Sequence, residues 1–298
     1  MKTVLITGGF GQLGCVLSNL LSDKFNLIRT SYSIKNMSHI ANCQEFVLDV
    51  TDANSYKIAL SRYNPDIIIN CAALTNVDFC EENRDQAHLV NVEGVRNLVK
   101  FSNKKTKIIH ISTDYVFDGD LNGDYLETSP TFPINYYGKT KLEAENLLRG
   151  SNLDYAIIRS SMLYGAPLSS KSNFFSWVYD SLVKGYEINA IDDCYSNPAW
   201  MSQLSEIILK IIILNNKGIF HFGSSDKVSR YDFANIIADV FDLDSQLINK
   251  VSSEELNFTA RRPNNTSLSN SKLNSEIGIK PYSVEFCLCR IKESSIFV

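Results

Sequence analysis

No dense run of lysine and arginine occurs in this chain. Its 298 residues carry a net charge of −4, which makes a polyanion such as nucleic acid a poor partner. Long apolar runs are absent too. The longest, Ile207 to Leu214, is interrupted by Lys210 and cannot span a bilayer. The opening run Met1-Lys2-Thr3-Val4-Leu5-Ile6-Thr7-Gly8 turns at once into glycine, unlike a signal peptide. A cytoplasmic protein with no membrane partner is expected. No Cys-x-x-Cys is present among Cys15, Cys43, Cys71, Cys80, Cys194, Cys287 and Cys289. That excludes the usual zinc and redox-pair spacings and leaves reduced, buried thiols. Only Cys287 and Cys289 are close, a spacing that alternate residues of a strand would give. The histidines His39, His88, His110 and His221 do not cluster, so no metal site is expected.

Hydrophobic residues are plentiful, at 44%, enough to bury a full core. The first half alternates short β-branched runs with helical patterns. The runs are Val4–Thr7, Leu27–Ser31, Phe46–Leu48, Ile67–Asn70, Ile108–Ser112 and Ala156–Arg159. Helix patterns lie near Gln12–Leu21, Ser55–Tyr63, Gln86–Ser102 and Asn135–Leu148. Continuously apolar strands separated by helices imply a parallel sheet covered on both faces. The fold class is therefore α/β, a Rossmann-type doubly wound sheet. The second half offers helices at Phe174–Lys184, Met201–Leu214 and Tyr231–Phe241 and a strand at Gly218–Phe222, with polar stretches at Ser169–Asn173 and Arg262–Ser275. It reads as a smaller C-terminal cap, so the chain divides into residues 1–160 and 161–298, with some later elements returning to the main sheet.

Gly8-Gly9-Phe10-Gly11-Gln12-Leu13-Gly14 follows the first strand and opens the first helix. In that setting Gly8 turns the chain, Gly11 admits a pyrophosphate, and Gly14 lets helix pack on strand. The helix N-terminus adds a positive dipole end. A dinucleotide is the expected ligand, with Gly8, Phe10, Gly11, Gln12, Leu13 and Gly14 around it. The second strand ends in Arg29-Thr30-Ser31 rather than in a carboxylate. Arg29 and Ser31 suit a 2′-phosphate, which favours NADP; NAD stays open, because Arg29 could also face solvent. Asp49, followed by Val50, closes the third strand and could accept from the adenine amino group. Helix capping by Thr51 or Asp52 is the alternative use of that turn.

Tyr137 and Lys141 are four residues apart in Tyr137-Gly138-Lys139-Thr140-Lys141 and share one face of a helix. A carbonyl reduction needs hydride on carbon and a proton on oxygen. Tyrosine can supply the proton if a neighbouring ammonium draws its pKa down. Lys141 can do this and hold the nicotinamide ribose. Thr113, at the end of the strand Ile108–Ser112, can hydrogen-bond the same oxygen, since ligands bind at strand C-termini in open α/β sheets.

Taken together, these segments resemble the extended short-chain dehydrogenase/reductase family, and within it the dTDP-4-dehydrorhamnose reductases. The matching runs are Thr7 to Gly14, Asn70-Cys71-Ala72-Ala73-Leu74-Thr75-Asn76-Val77-Asp78, Ser112-Thr113-Asp114-Tyr115-Val116-Phe117-Asp118-Gly119, Tyr137 to Glu145 and Arg261-Arg262-Pro263. The resemblance implies Thr113, Tyr137 and Lys141 as the catalytic trio, with Asn91 supporting the lysine through water. It implies that Asn70, Cys71, Ala72 and Ala73 line the cofactor. The implied substrate is a nucleotide-diphospho-sugar carrying a keto group. Thr75, Thr113, Asp114 and Asn173 are assigned to its side.

Sugar-nucleotide dehydratases of this superfamily end the same strand in Thr-Asp-Glu. Here Tyr115 stands in place of the glutamate, so reduction is preferred to elimination. An epimerase remains an alternative, as does a cofactor-binding regulatory subunit resembling the beta subunit of methionine adenosyltransferase. Two segments depart from the rhamnose-pathway reductases, Ser160-Ser161-Met162-Leu163-Tyr164 and Asp192 to Trp200. Both put the sugar's identity in doubt. Met162 follows the sixth strand and is assigned to the sugar, with core packing as its other use. Arg262 is the candidate diphosphate contact, because guanidinium groups grip phosphate with paired hydrogen bonds; an exposed surface arginine is the alternative. The sequence leaves a homodimer open.

Overall fold

The structure, a computed structural model, describes residues 1–33, 40–166 and 172–294. His39 and residues 169–171 of the polar stretch lie outside these. The elements up to residue 160 are β1 (Thr3–Thr7), α1 (Gln12–Leu21), β2 (Asn26–Ser31), β3 (Cys43–Val47), α2 (Ala53–Tyr63), β4 (Ile67–Asn70), α3 (Val77–Glu82), α4 (Arg84–His88), α5 (Gly94–Phe101), β5 (Lys107–Thr113), α6 (Tyr136–Arg149) and β6 (Asp154–Ser160). Beyond them come β7 (Leu163–Tyr164), α7 (Phe174–Val183), β8 (Ile188–Ile191), β9 (Tyr195–Ser196), β10 (Ala199–Trp200), α8 (Met201–Leu214), β11 (Gly218–Phe222), β12 (Val228–Ser229), α9 (Arg230–Phe241), β13 (Ile248–Val251), α10 (Ser271–Ile277) and α11 (Val284–Glu293).

Seven strands form one parallel sheet in the order β11-β6-β5-β4-β1-β2-β3. Every residue of β4 and β5 is buried, as continuous apolar runs covered by helices on both faces require. One face packs Leu13, Leu17 and Leu21 of α1 against Leu204, Ile208 and Ile211 of α8. The other buries Tyr56 and Leu60 of α2, Val95 and Leu98 of α5, and Ala144 and Leu148 of α6. The strand order reverses between β1 and β4, which opens a crevice at their C-terminal ends.

The second half shares itself between sheet and cap. β11 extends the sheet beside β6, with α8 and α10 packed on the same core as α1. Elements α7, β8, α9, β13 and α11 enclose a separate core that includes Phe175, Val178, Phe233, Ile237, Leu288 and Ile291. Two expectations need correction, and one strand pair went unforeseen. The pair Cys287 and Cys289 lies on a helix, not a strand: Val284, Cys287, Leu288 and Ile291 are buried at helical spacing while Cys289 is exposed. The helix expected over Gln86–Ser102 is interrupted by a π-helical turn, Leu89–Glu93, which turns Asn91 and Val92 inward. The parallel pair β8 and β13 was not legible, because neither short strand has a clean pattern. Among the described residues, no helix is long and apolar enough to cross a membrane, and no group of His, Cys, Asp and Glu could hold a metal ion.

Helix α6 is fixed to the sheet by a buried ion pair. Arg159 of β6 donates from Nε and Nη2 to the Glu145 carboxylate, the shorter bond being 2.7 Å. Ser112 of β5 donates to the same carboxylate at 2.6 Å. Removing one partner leaves a buried, uncompensated charge. Glu145→Ala is therefore expected to destabilise the fold by about 3–5 kcal/mol, measured by urea unfolding. A loss below about 1 kcal/mol would show that the pair does not hold α6 in place.

Candidate active site

The crevice between β1 and β4 is floored by the glycine loop. Gly8 has φ +64°, and a Cβ there would meet the Ala72 nitrogen at 2.9 Å, so side chains are excluded on two counts. At Gly14 a Cβ would run into the Gly8 carbonyl oxygen and lie 2.7 Å from Gly9 Cα. Gly11 caps α1 without any side-chain bond, and a Cβ at Gly11 would meet only the Gly8 oxygen, at 3.2 Å. The space over Gly11 is open, as a pyrophosphate approaching the backbone needs. Leu13 sends its side chain into the core and offers the crevice only backbone.

Arg29 departs from both of its expected uses. Its side chain is fully buried, its guanidinium lies 4.1 Å over the Phe10 ring, and Nη2 pairs with Glu45 at 2.5 Å. It faces neither solvent nor an open 2′-phosphate position, because β3 presents Glu45 directly beside it in register. Ser31 is half-buried at the end of β2. Asp49 is exposed and accepts from the Thr51 amide and hydroxyl at 2.9 and 2.7 Å. The cap of α2 is Asp52, which accepts from Asn54 and Ser55. Val50 packs against Gly94, where a Cβ would come within 3.2 Å of Val50 Cγ2.

Thr113 ends β5, and Asn135 caps α6 by accepting from the Gly138 amide at 2.9 Å. This start places Tyr137 and Lys141 on the inward face. Thr113, Tyr137 and Lys141 are 5%, 9% and 3% exposed. Gly138 is required here, because a Cβ would overlap the Tyr115 carbonyl oxygen. Burial pushes the Tyr137 phenol well above its ordinary pKa, with the Thr113 hydrogen bond acting the other way. Lys141 is not among the main influences on Tyr137, for a geometric reason. The Lys141 ammonium is turned to the Ile111 carbonyl at 2.7 Å and to His110 Nε2 at 3.4 Å. Burial draws Lys141 itself down to about 8, against the opposing charge of Glu145.

Behind Lys141 runs a buried polar chain. His110 Nδ1 lies 2.9 Å from Asn70 Nδ2, and the Thr7 hydroxyl donates to Asn70 Oδ1 at 2.5 Å. Burial and the Lys141 charge hold His110 neutral, well below its ordinary pKa. Asn91 does not touch Lys141. Its amide clasps the Leu74 backbone, accepting at 2.8 Å and donating at 3.0 Å, and donates to the Thr140 hydroxyl at 3.0 Å. It positions the segment after β4 against α6.

On the substrate side, Asp114 is buried and burial raises its pKa; it accepts from Thr266 at 2.5 Å and from Thr113 at 3.0 Å. Thr75 is exposed just before α3. Met162 packs against the cap core, and its carbonyl accepts from Ala199. Asn173 is the N-cap of α7 in a capping box and donates to the Gly165 carbonyl at 3.0 Å. Arg262 is half-buried rather than an exposed surface arginine, and its guanidinium is already engaged. Its Nη1 and Nη2 grip Asp78 at 3.1 and 2.6 Å, and Nη1 also donates to the Ala260 carbonyl. A cleft of about 450 Å³ lies along Asp118, Phe132, Arg261 and Arg262.

The family model of the RmlD substrate binding domain matches residues 1–291. The chain belongs to this family. It is similar to a probable low-salt glycan biosynthesis reductase of Haloferax volcanii, 32% identical over 94% of each chain. It is likewise similar to the dTDP-4-dehydrorhamnose reductase of Aggregatibacter actinomycetemcomitans, 31% identical over 98% of this chain and 99% of that one. Among solved structures, the dTDP-4-dehydrorhamnose reductase of Bacillus anthracis in complex with NADP superposes with a TM-score of 0.87, at 29% identity over 98% of both chains.

In this RmlD-family protein the sequence brought Thr113, Tyr137 and Lys141 to one place but missed their supports. His110 looked like a strand residue in an apolar run. Asp78 and Thr266 had no visible partner, because theirs lie 184 and 152 residues away. The lowered Lys141 pKa has a thermodynamic consequence. Above about pH 8 the folded Lys141 gives up its proton, whereas the unfolded chain keeps it to 10.5. In that window the unfolded state binds more protons, so stability rises with pH. Relative to Lys141→Met, the cofactor-free protein should gain roughly 3 kcal/mol between these limits, read from denaturation curves at stepped pH. A difference that stays flat with pH would refute a depressed Lys141.

Proposed function

We propose that this protein reduces the keto group of a nucleotide-linked 4-keto-6-deoxy sugar with NADPH. The observation that carries the reading is the buried trio Thr113, Tyr137 and Lys141 at the C-terminal edge of the sheet, beside a glycine loop open over Gly11. The uncapped start of α1 suits the pyrophosphate, and Lys141 suits the nicotinamide ribose. NADPH, when bound, supplies the hydride. The dTDP-4-dehydrorhamnose reductases to which the chain is similar, one of them solved with NADP, support this choice of cofactor and substrate. In this reading residues 1–160 hold the dinucleotide and 161–298 hold the sugar nucleotide. The same reading assigns the protein to the cytoplasm.

The chain's own groups do the rest. The raised pKa keeps Tyr137 protonated at neutral pH, the state a reduction consumes. Its hydroxyl gives the proton to the keto oxygen as the carbonyl carbon is reduced. Thr113 hydrogen-bonds the same oxygen and holds it in reach. The phenolate left on Tyr137 is favoured by its hydrogen bond with Thr113. Tyr115 stands where an elimination base would have to be, and a phenol raised by burial is no base at neutral pH.

With dTDP-4-keto-6-deoxy sugar as substrate, the protein should oxidise one NADPH per sugar reduced, followed by nicotinamide absorbance. Tyr137→Phe should cut turnover by about 100-fold or more while binding NADPH as before. Undiminished turnover in Tyr137→Phe would remove the tyrosine from the mechanism. Sugar conversion without net NADPH loss would mean epimerisation. Tight NADPH binding with no turnover on any keto sugar would mean a binding subunit.

A further inference from the structure

A diphosphate needs N–H donors that the fold has not already used. Arg262 has its guanidinium closed by Asp78 and the Ala260 carbonyl. Arg230 is the contrasting case. It makes no side-chain hydrogen bond or ion pair among the described residues, and its guanidinium lies over the face of the Phe174 ring, 5.2 Å from the centroid. Stacking of that kind fixes a guanidinium plane and leaves its edge donors directed outward.

Arg230 also sits where the cap meets the catalytic strand end. Thr113 is followed by Asp114, which accepts from the Thr266 hydroxyl. The Thr266 amide donates to the Tyr195 carbonyl at 2.9 Å. Tyr195 pairs with Ser229 across β9 and β12, and Arg230 follows Ser229 as the first residue of α9. Asp232, the nearest carboxylate in sequence, is turned back onto Ser229 in the capping box and does not reach Arg230. The positive end of α9 adds to the field of the guanidinium.

We propose that Arg230 grips the diphosphate of the nucleotide-linked substrate and thereby sets the keto carbon against Tyr137. This rests on the sugar-nucleotide reading above. The charge of Arg230 is felt on the crevice side, where it stabilises the ionised forms of Asp114, Tyr115 and Cys194. One hexose ring separates a keto carbon at Tyr137 from the first phosphate, so a cation beside Asp114 and Tyr115 lies at the right end of the sugar. A guanidinium can bind two phosphate oxygens at once.

The test is calorimetric titration of wild type, Arg230→Ala and Arg230→Lys with dTDP, UDP, GDP and NADPH, alongside steady-state kinetics on the keto sugar. Arg230→Ala should weaken the best-bound nucleoside diphosphate by about tenfold to a hundredfold and raise the sugar-nucleotide KM by a similar factor. NADPH affinity should not change. Arg230→Lys, which keeps the charge without the fork, should lose less and guards against misfolding of the alanine variant. Unchanged nucleoside diphosphate affinity in Arg230→Ala would overturn the proposal, as would wild type binding none of the three. Loss of nucleotide affinity in a protein that never oxidises NADPH would support Arg230 and refute the reductase reading alone.

Discussion

Helix α6 carries Tyr137, Lys141 and Glu145 into the interior, one turn apart, and the burial of these three ionisable groups is the constraint on which the site depends. Each is costly to bury unless partnered. Glu145 is answered by Arg159 and Ser112, Lys141 by the Ile111 carbonyl and His110, and Tyr137 by Thr113. All of these partners come from β5 or β6. The helix can therefore satisfy its polar groups in only one register against the sheet. Gly138 permits that register by letting α6 close onto the Tyr115 carbonyl. The geometry of the candidate site and the stability of the fold are set by the same contacts.

A second set of contacts joins the two proposed ligand sites. Thr7, at the mouth of the glycine loop, is linked through Asn70 and His110 to Lys141. The strand ends β1, β4 and β5 thus share one buried polar chain that runs from the expected pyrophosphate position to the expected proton-transfer position. Asn91 belongs to a different brace, between the segment after β4 and α6. The π-helical turn that carries Asn91 directs its amide inward, a common use of such turns near functional sites.

The arginines show how far charge alone can mislead. Arg29 and Arg262 are in sequence positions that suit phosphate, yet Glu45 and Asp78 occupy them. Arg230 attracts no notice in the sequence, at the edge of a capping box in the cap. What separates them is which carboxylate each meets across the fold, and those partners are distant in the chain.

The sequence by itself determined the sheet, the glycine loop and the grouping of Thr113, Tyr137 and Lys141. The reason is that all three are local: strand–glycine–helix in one run, Tyr137 and Lys141 one helical turn apart, Thr113 at a strand end. Apolar periodicity likewise settled which helices flank the sheet, with α8 and β11 patterned like the first half. Only the tertiary structure decided which polar groups are already spent. The Arg29–Glu45, Arg262–Asp78 and Asp114–Thr266 pairs, the turn of Lys141 toward His110, and the helical setting of Cys287 depend on packing between separated segments. A hydrogen bond has a short reach in space and none along the chain, so such pairings leave no periodic mark in the residues that make them.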